Sequence, residues 1–274
     1  MELEKIQKKL ESLKGIIKET EGVLVAYSGG IDSTFLLKVA LSVLGKNVIA
    51  VTVNSEVFAK KEIENAKKIA RILGVKNLII KIKHLNDEKF VINSILRCYY
   101  CKKKIFSELL ILANKFGFKN VIEGSNYDDT MDFRPGMRAL KELGIKSPLK
   151  EAMLNKDEIR ILSKQMKLPN WDKPPSPCLA TRIPYGVRIT KEELLKIERA
   201  EEFLLKLGFR EVRVRSHFDI ARIEIPKYDI KKIFEMDRAE KIVRKFREIG
   251  YKFITIDLEG YRKGSMNEEW IGKE

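Results

Sequence analysis

The chain predicts an α/β fold: a mostly parallel sheet with helices on both faces, followed by a smaller C-terminal α/β domain. Three features carry this. Residues 23–40, VLVAYSGGIDSTFLLKVA, set a short apolar run against a Gly/Ser turn and then an amphipathic segment. Strand-like and helix-like segments then alternate as far as KNVIEGS at 119–125. Residues 168–186, LPNWDKPPSPCLATRIPYG, hold five of the chain's eight prolines; each fixes φ and removes a donor, so the segment is irregular and ends the first domain.

The opening stretch, MELEKIQKKLESLKGIIKETEG, reads as a charged amphipathic helix without the apolar core of a signal peptide. Val23–Ala26 form a strand, and Phe35, Leu36, Val39, Ala40 and Val43 recur at helical spacing. KNVIAVTVNS reads as a strand, FAKKEIENAKKIARILGV as a helix, KNLIIKIKHL as a strand and CKKKIFSELLILANKFGF as a helix. Beyond the proline-rich segment, Thr190 and Glu193 form a capping box for TKEELLKIERAEEFLLKLG. REVRVRSH, IARIEI, a long basic helix from about Tyr228 to Ile249, and YKFITIDL complete an α-β-β-α-β order. The expected domains are 1–186 and 187–274. No stretch approaches the roughly 20 apolar residues of a membrane span, and a cytoplasmic location is expected.

The turn Ser28-Gly29-Gly30-Ile31-Asp32-Ser33 falls at a helix N-terminus, where backbone N–H groups and the helix dipole favour an anion. Gly29 and Gly30 are free to take φ > 0, and Ser28 and Ser33 add hydroxyl donors. Asp32 would repel phosphates, so it is assigned to holding Mg²⁺ or to orienting the loop. No lysine followed by Ser or Thr comes after the second glycine, which excludes the P-loop of kinases and GTPases. SGGIDS instead resembles the SGGxDS signature of the PP-loop ATP pyrophosphatases, the adenine nucleotide alpha-hydrolase-like fold. That resemblance implies cleavage of ATP between its α and β phosphates.

The net charge is +15, from 54 Lys and Arg against 39 Asp and Glu. Lysines are interleaved with glutamates, as in AKKEIENAKKIARILG, which favours a mixed ion-paired surface over a nucleic-acid footprint. Three cysteines are too few for a disulfide scaffold at this size. Cys98 and Cys101 form RCYYCKKK, and Cys178 lies in the proline-rich segment. A CxxC alone suits a redox pair, half a zinc site or part of an iron–sulfur site. His84 and His217, the only histidines, are remote in sequence from the cysteines, although His84 could approach one in space. Three thiolates without an evident fourth ligand suit a [4Fe–4S] cluster with one open iron.

In a strand, Arg213, Arg215 and His217 share one face, an arrangement suited to a phosphate, while the plain alternative is an edge strand with solvated charges. Asp128, Asp129 and Arg134 follow a strand end, where α/β sites form. Arg182, four residues past Cys178, is a further phosphate candidate.

PPSPCLATRIPYG, VRVRSH and DLEGYRKGSMNE, together with SGGIDS, resemble the LarE family, the pyridinium-3,5-biscarboxylic acid mononucleotide sulfurtransferases of nickel-pincer cofactor biosynthesis. The resemblance runs from the turn to the C-terminus. It implies that ATP adenylates a substrate carboxylate with release of pyrophosphate, and that sulfur displaces AMP to leave a thiocarboxylate. Ser28, Gly29, Gly30, Asp32 and Ser33 would hold the ATP phosphates, and Arg213 and Arg215 the substrate phosphate. Cys178 matches the cysteine that many members sacrifice, ending as dehydroalanine. Cys98 and Cys101 depart from that single-cysteine pattern and resemble the cluster-containing branch, in which all three cysteines are ligands and the sulfur is a sulfide. The family also implies a homo-oligomer; the sulfur donor is left open.

Other classes remain. A PP-loop tRNA thiolation enzyme would carry an RNA-binding module, of which the chain shows no basic-aromatic run or terminal CxxC pairs. An amidating ligase of the GMP or NAD synthetase type needs no cysteine cluster. A non-catalytic ATP- or iron-sensing regulator would bind ATP without releasing pyrophosphate.

Overall fold

The computed structural model describes residues 2–130 and 135–262. In chain order the elements are α1 Glu2–Lys18, β1 Val23–Ala26, α2 Ile31–Leu44, β2 Val48–Asn54, α3 Lys60–Ile72 and β3 Asn77–Lys81. There follow α4 Glu88–Val91, α5 Arg97–Lys115, β4 Asn120–Ile122, α6 Pro135–Glu142, α7 Pro148–Glu151 and α8 Lys156–Gln165. The remainder holds α9 Lys191–Lys206, β5 Arg213–His217, β6 Ile220–Glu224, α10 Ile230–Ile233, α11 Arg238–Ile249 and β7 Phe253–Ile256. The chain is α/β, as the alternation of periods predicts. No helix among the described residues is long and apolar enough to cross a membrane.

Two compact units emerge: Met1–His84 with Ile95–Ser176, and Leu85–Ser94 with Pro177–Glu274. The expected boundary at 186 falls ten residues later than this division, and nothing in the sequence signals the loan of 85–94. Its physical basis is Asn93, whose side-chain amide donates to the carbonyls of Pro184 at 2.8 Å and Val187 at 2.9 Å.

The first unit has a parallel sheet in the order β3-β2-β1-β4. Val23 and Val25 join a core with α1, α2 and α8 on one face, while Leu24 joins α5 on the other. A strand buried on both faces explains why β1 reads as a continuous apolar run rather than an alternating one. Asn155 and Glu158 make a full capping box at α8, with bonds of 2.9 Å in both directions.

The second unit has a sheet in the order β5-β6-β7, with β5 and β6 antiparallel and β6 and β7 parallel. Its core joins Val214 and Ile223 to Leu204 of α9 and Phe246 of α11. Two expectations need correction. Thr190 caps α9 by accepting from the Glu193 N–H at 3.2 Å, but the Glu193 carboxylate accepts from the Ser216 hydroxyl instead of closing the box. The single helix expected over 228–249 is broken into α10 and α11, with Met236 at φ +56°, a left-handed conformation no helix continues through.

Candidate functional site

From β1 the chain steps outward through β2 to β3 and then returns to place β4 on the other side of β1. The carboxyl ends of β1 and β4 therefore flank a topological switch point, where open α/β sheets bind ligands. The Ser28–Ser33 turn leaves β1 there. Gly29 has φ +74°, and a Cβ on it would fall 2.8 Å from the Ala66 Cα of α3, so the turn needs glycine twice over. Gly30 does not share that conformation: with φ −76° and ψ 166° it is the extended N-cap of α2, and no side chain caps the helix. An uncapped N-terminus at a switch point leaves the dipole for an external anion.

The two serines organise the turn. Their hydroxyl oxygens are 3.0 Å apart, the Gly30 N–H donates to Ser28 Oγ at 3.3 Å, and Ser33 Oγ donates to the Gly30 carbonyl at 3.1 Å. Two further residues hold the turn and were missed in the sequence. Buried Asn170 donates from Nδ2 to the Gly29 carbonyl at 3.1 Å and to Thr34 Oγ1 at 3.0 Å. Gly124, just past β4, packs so closely that a Cβ there would lie 3.0 Å from the Ser33 backbone nitrogen. Gly124→Ala is expected to push the turn off β4 and weaken binding of an ATP analogue at least tenfold in calorimetry, while the melting temperature falls only a few degrees. Unchanged affinity would show that the two loops are not coupled.

Asp32 is half-buried, and its Oδ1 is sealed from solvent with no hydrogen-bond partner among the described residues. Burial, and then the charge of Asp129, raise its pKa from 3.8 to about 6, against the opposing charge of Lys156, a hydrogen bond from the Asn126 side chain and the charge of Arg160. Asp129 comes from the 3₁₀ turn Tyr127–Thr130 that follows β4 and is paired with Lys156 at 3.5 Å. The structure thus brings Asp32 and Asp129 together across the switch point. Asp128 serves otherwise, accepting from the Lys156 N–H at 3.0 Å at the start of α8. Arg134 lies outside the described residues.

Cys98 and Cys101 occupy the first turns of α5 as half-buried thiols, neither of them in a disulfide. His84 does approach one of them, with Nε2 3.3 Å from Cys101 Sγ. Next to Cys101, Lys102 reaches buried Glu123 at 3.4 Å; Ser125 and Ser147 also donate to that carboxylate, at 2.8 and 2.6 Å. Burial alone would raise the Glu123 pKa, but Lys102 and these hydroxyls outweigh it and hold the group ionised below the usual range. Among the described residues no three His, Cys, Asp or Glu side chains gather closely enough to hold a metal ion. The expected iron–sulfur ligands draw two thiols from the first unit and one, Cys178, from the second.

In the second unit, Cys178 precedes the 3₁₀ turn Leu179–Arg182. Arg182, 1% exposed, binds Glu201 through Nε at 2.8 Å and Nη2 at 3.0 Å, and its Nη1 donates to the Pro177 and Cys178 carbonyls at 2.9 and 3.0 Å. This corrects the expectation of a phosphate-binding Arg182: its donors are spent on fixing the backbone at Cys178. Arg215 is likewise engaged, by buried Glu224 at 2.9 and 3.0 Å and by the Thr181 carbonyl at 2.7 Å. The solvated edge strand is also excluded, since Arg213 and Arg215 are both buried, while His217 is only half-buried. Arg213 stacks 5.0 Å over the Tyr261 ring and donates to the Val212 carbonyl at 2.6 Å. Burial, and then the neighbouring charge of Arg182, lower its pKa, so an anion beside it would relieve an unfavourable charge.

The family model for the queuosine biosynthesis protein QueC matches residues 22–98, which contain the turn and β1 to β3. A pyridinium-3,5-bisthiocarboxylic acid mononucleotide synthase of Lactiplantibacillus plantarum is 38% identical over 261 residues, covering 95% of this chain and 94% of its own. An uncharacterized protein of Synechocystis sp. is 40% identical over 262 residues, covering 96% and 98%. A glutamine-hydrolyzing GMP synthase component from Saccharolobus solfataricus is 27% identical over 206 residues, covering 68% of this chain and 55% of its own.

Proposed function

The chain belongs to the LarE family of pyridinium mononucleotide sulfurtransferases, and from that premise we propose that it adenylates a carboxylate of pyridinium-3,5-biscarboxylic acid mononucleotide with ATP and converts it to a thiocarboxylate. The observation that carries this reading is the uncapped, glycine-bound turn at the switch point, with the carboxylates of Asp32 and Asp129 beside it.

The N–H groups at the start of α2, with Ser28 and Ser33, receive the triphosphate. The sealed, unpartnered Asp32 Oδ1 suits a Mg²⁺ ion, which takes one or two carboxylates together with phosphate oxygens. Asp32 and Asp129 would hold it, and the ion would supply charge neutralisation at the phosphates. A substrate carboxylate oxygen attacks the α-phosphorus, the α–β bridging bond breaks and pyrophosphate leaves. A sulfur nucleophile then attacks the acyl carbon and AMP leaves. Of the two arginines assigned to the substrate phosphate, Arg213, buried and stacked on Tyr261, would receive it, while Arg215 is engaged by Glu224 and the Thr181 carbonyl and would support it from behind.

Cys98, Cys101 and Cys178 are thiols outside any disulfide, the donor set an iron–sulfur cluster takes, and a bound [4Fe–4S] cluster would supply the sulfide. Arg182 and Thr181, by bonding the Cys178 carbonyl, hold that cysteine's backbone in place for either role.

Incubation with ATP and the biscarboxylate mononucleotide is expected to give AMP, pyrophosphate and the thiocarboxylate. ADP and phosphate alone would overturn the proposal. About four irons with matching sulfide in protein purified without oxygen, lost in Cys98→Ala, Cys101→Ala and Cys178→Ala, is the expected cluster result. A mass loss of roughly 34 Da at Cys178 after turnover would mean that Cys178 is consumed instead. The likeness to GMP synthase favours one second reading, amidation of the same adenylate, which an amide product with ammonia would identify.

A further inference from the structure

Two cations of α8 flank the anion-binding turn. α8 shares a core with α2, where Ile159 and Leu162 join Phe35 and Leu36. Lys156 and Arg160 are one helical turn apart and lie on one side of α8. Lys156 Nζ is 3.5 Å from Asp129 Oδ1, and the charges of both cations reach Asp32 in the first turn of α2. The backbone of Lys156 is fixed, since Asp128 accepts its N–H at 3.0 Å and the Asn155–Glu158 capping box starts the helix there. The side chains are not. The Lys156 contact is longer than the about 2.7–2.9 Å of a tight charge-assisted bond, its side chain is 32% exposed, and exposed Arg160 makes no hydrogen bond or ion pair among the described residues. Asn126, wholly buried, gives its N–H to Asp129 Oδ2 at 3.2 Å and keeps a side-chain Oδ1 without a partner among the described residues, the mark of a site built to take a guest.

Charge balance decides what these groups are for. A phosphate entering the Ser28–Ser33 turn comes close to the carboxylates of Asp32 and Asp129, and like charges at such range repel. The positive end of the α2 dipole, about half a charge, does not offset two carboxylates and a triphosphate. Lys156 and Arg160 supply the missing positive charge from within the same unit of the chain. We propose that Lys156 and Arg160 bind the pyrophosphate end of the nucleotide, Lys156 by passing from Asp129 to the phosphate oxygens. Its four-carbon stem permits the transfer with the backbone held still. When the α–β bridging bond breaks, the bridging oxygen keeps the electron pair and the leaving pyrophosphate gains a negative charge, which both cations then stabilise. The inference rests on the adenylation reading given above and assigns that reaction's leaving group its residues.

The test is calorimetric titration of wild type, Lys156→Met, Lys156→Arg and Arg160→Gln with inorganic pyrophosphate and, separately, with AMP, each with Mg²⁺ present, alongside the melting temperature of each unliganded protein. Lys156→Met is expected to bind pyrophosphate about 10- to 100-fold less tightly, the worth of a hydrogen bond to a charged group, and to bind AMP within about twofold of wild type. Lys156→Arg, which keeps the charge, should retain most of the pyrophosphate affinity, and Arg160→Gln should lose it in the same direction by less. A structural role alone predicts that AMP and pyrophosphate weaken together as the melting temperature falls; that pattern, or wild-type pyrophosphate affinity in Lys156→Met, would overturn the inference while leaving adenylation standing. A wild type that binds neither pyrophosphate nor AMP would overturn the adenylation reading and this inference with it. If Lys156→Met fails to fold, Arg160→Gln decides: pyrophosphate affinity equal to wild type overturns the role of the pair.

Discussion

Arg182→Ala is expected to destabilise the second unit by about 3–5 kcal/mol, the usual cost of removing one partner from a buried ion pair. Glu201 would keep one bond, from the Val214 N–H at 3.0 Å, but would lose both guanidinium contacts and be left charged in the interior. The carbonyls of Pro177 and Cys178 would lose their donor at the same time. Calorimetry should show a transition lowered by more than ~10 °C. Arg182→Met with Glu201→Leu, which removes both charges and retains volume, should recover much of the loss. The contrast with a ligand-binding arginine is sharp: that role predicts weaker substrate binding at unchanged melting temperature, and such a result would sink the structural assignment.

Asp32→Asn should act in opposite directions on activity and stability. Pyrophosphate release is expected to fall by several orders of magnitude, because the amide cannot replace a carboxylate beside Mg²⁺. The unliganded protein should nevertheless gain on the order of 1–3 kcal/mol near pH 7, since a desolvated charge has been removed. The sign follows from the raised pKa. The native carboxyl keeps its proton up to about pH 6 while the unfolded chain releases it near 3.8. Over that window the folded state binds the extra proton, so the contribution of Asp32 to stability declines as pH rises and stays low above it. Urea midpoints measured between pH 4.5 and 7.5 should therefore diverge between wild type and variant as pH rises. Parallel curves would mean that Asp32 is not desolvated.

The β1-turn-α2 unit was legible because its signals are local: a buried strand, two glycines and a helical period within 18 residues. The pairing of Asp32 with Asp129 was half legible. Each was picked out separately, but their proximity depends on β4 lying beside β1, which no local pattern states. The arginines show the converse. Their chemistry was visible, yet burial and the partners Glu201 and Glu224 come from tertiary packing, so Arg182 was read as a ligand when it is a brace. Asn170 and Gly124 were missed for the same reason, since one sits in an aperiodic segment and the other in a short loop. The broken 228–249 helix failed because apolar period alone does not reveal a residue such as Met236 adopting positive φ.

The loan of residues 85–94 to the second unit has a consequence for synthesis. Asn93 leaves the ribosome 91 residues before the Pro184 carbonyl that it binds. At about 5–20 residues per second, it waits roughly 5–20 s with a polar side chain destined for the interior hydrogen-bonded only to water. A fragment beginning at 177 would lack that amide altogether. The C-terminal part is therefore a domain in space but not a heritable cassette: exchange of the segment from 177 onward between relatives should succeed only when the ten-residue strip 85–94 travels with it.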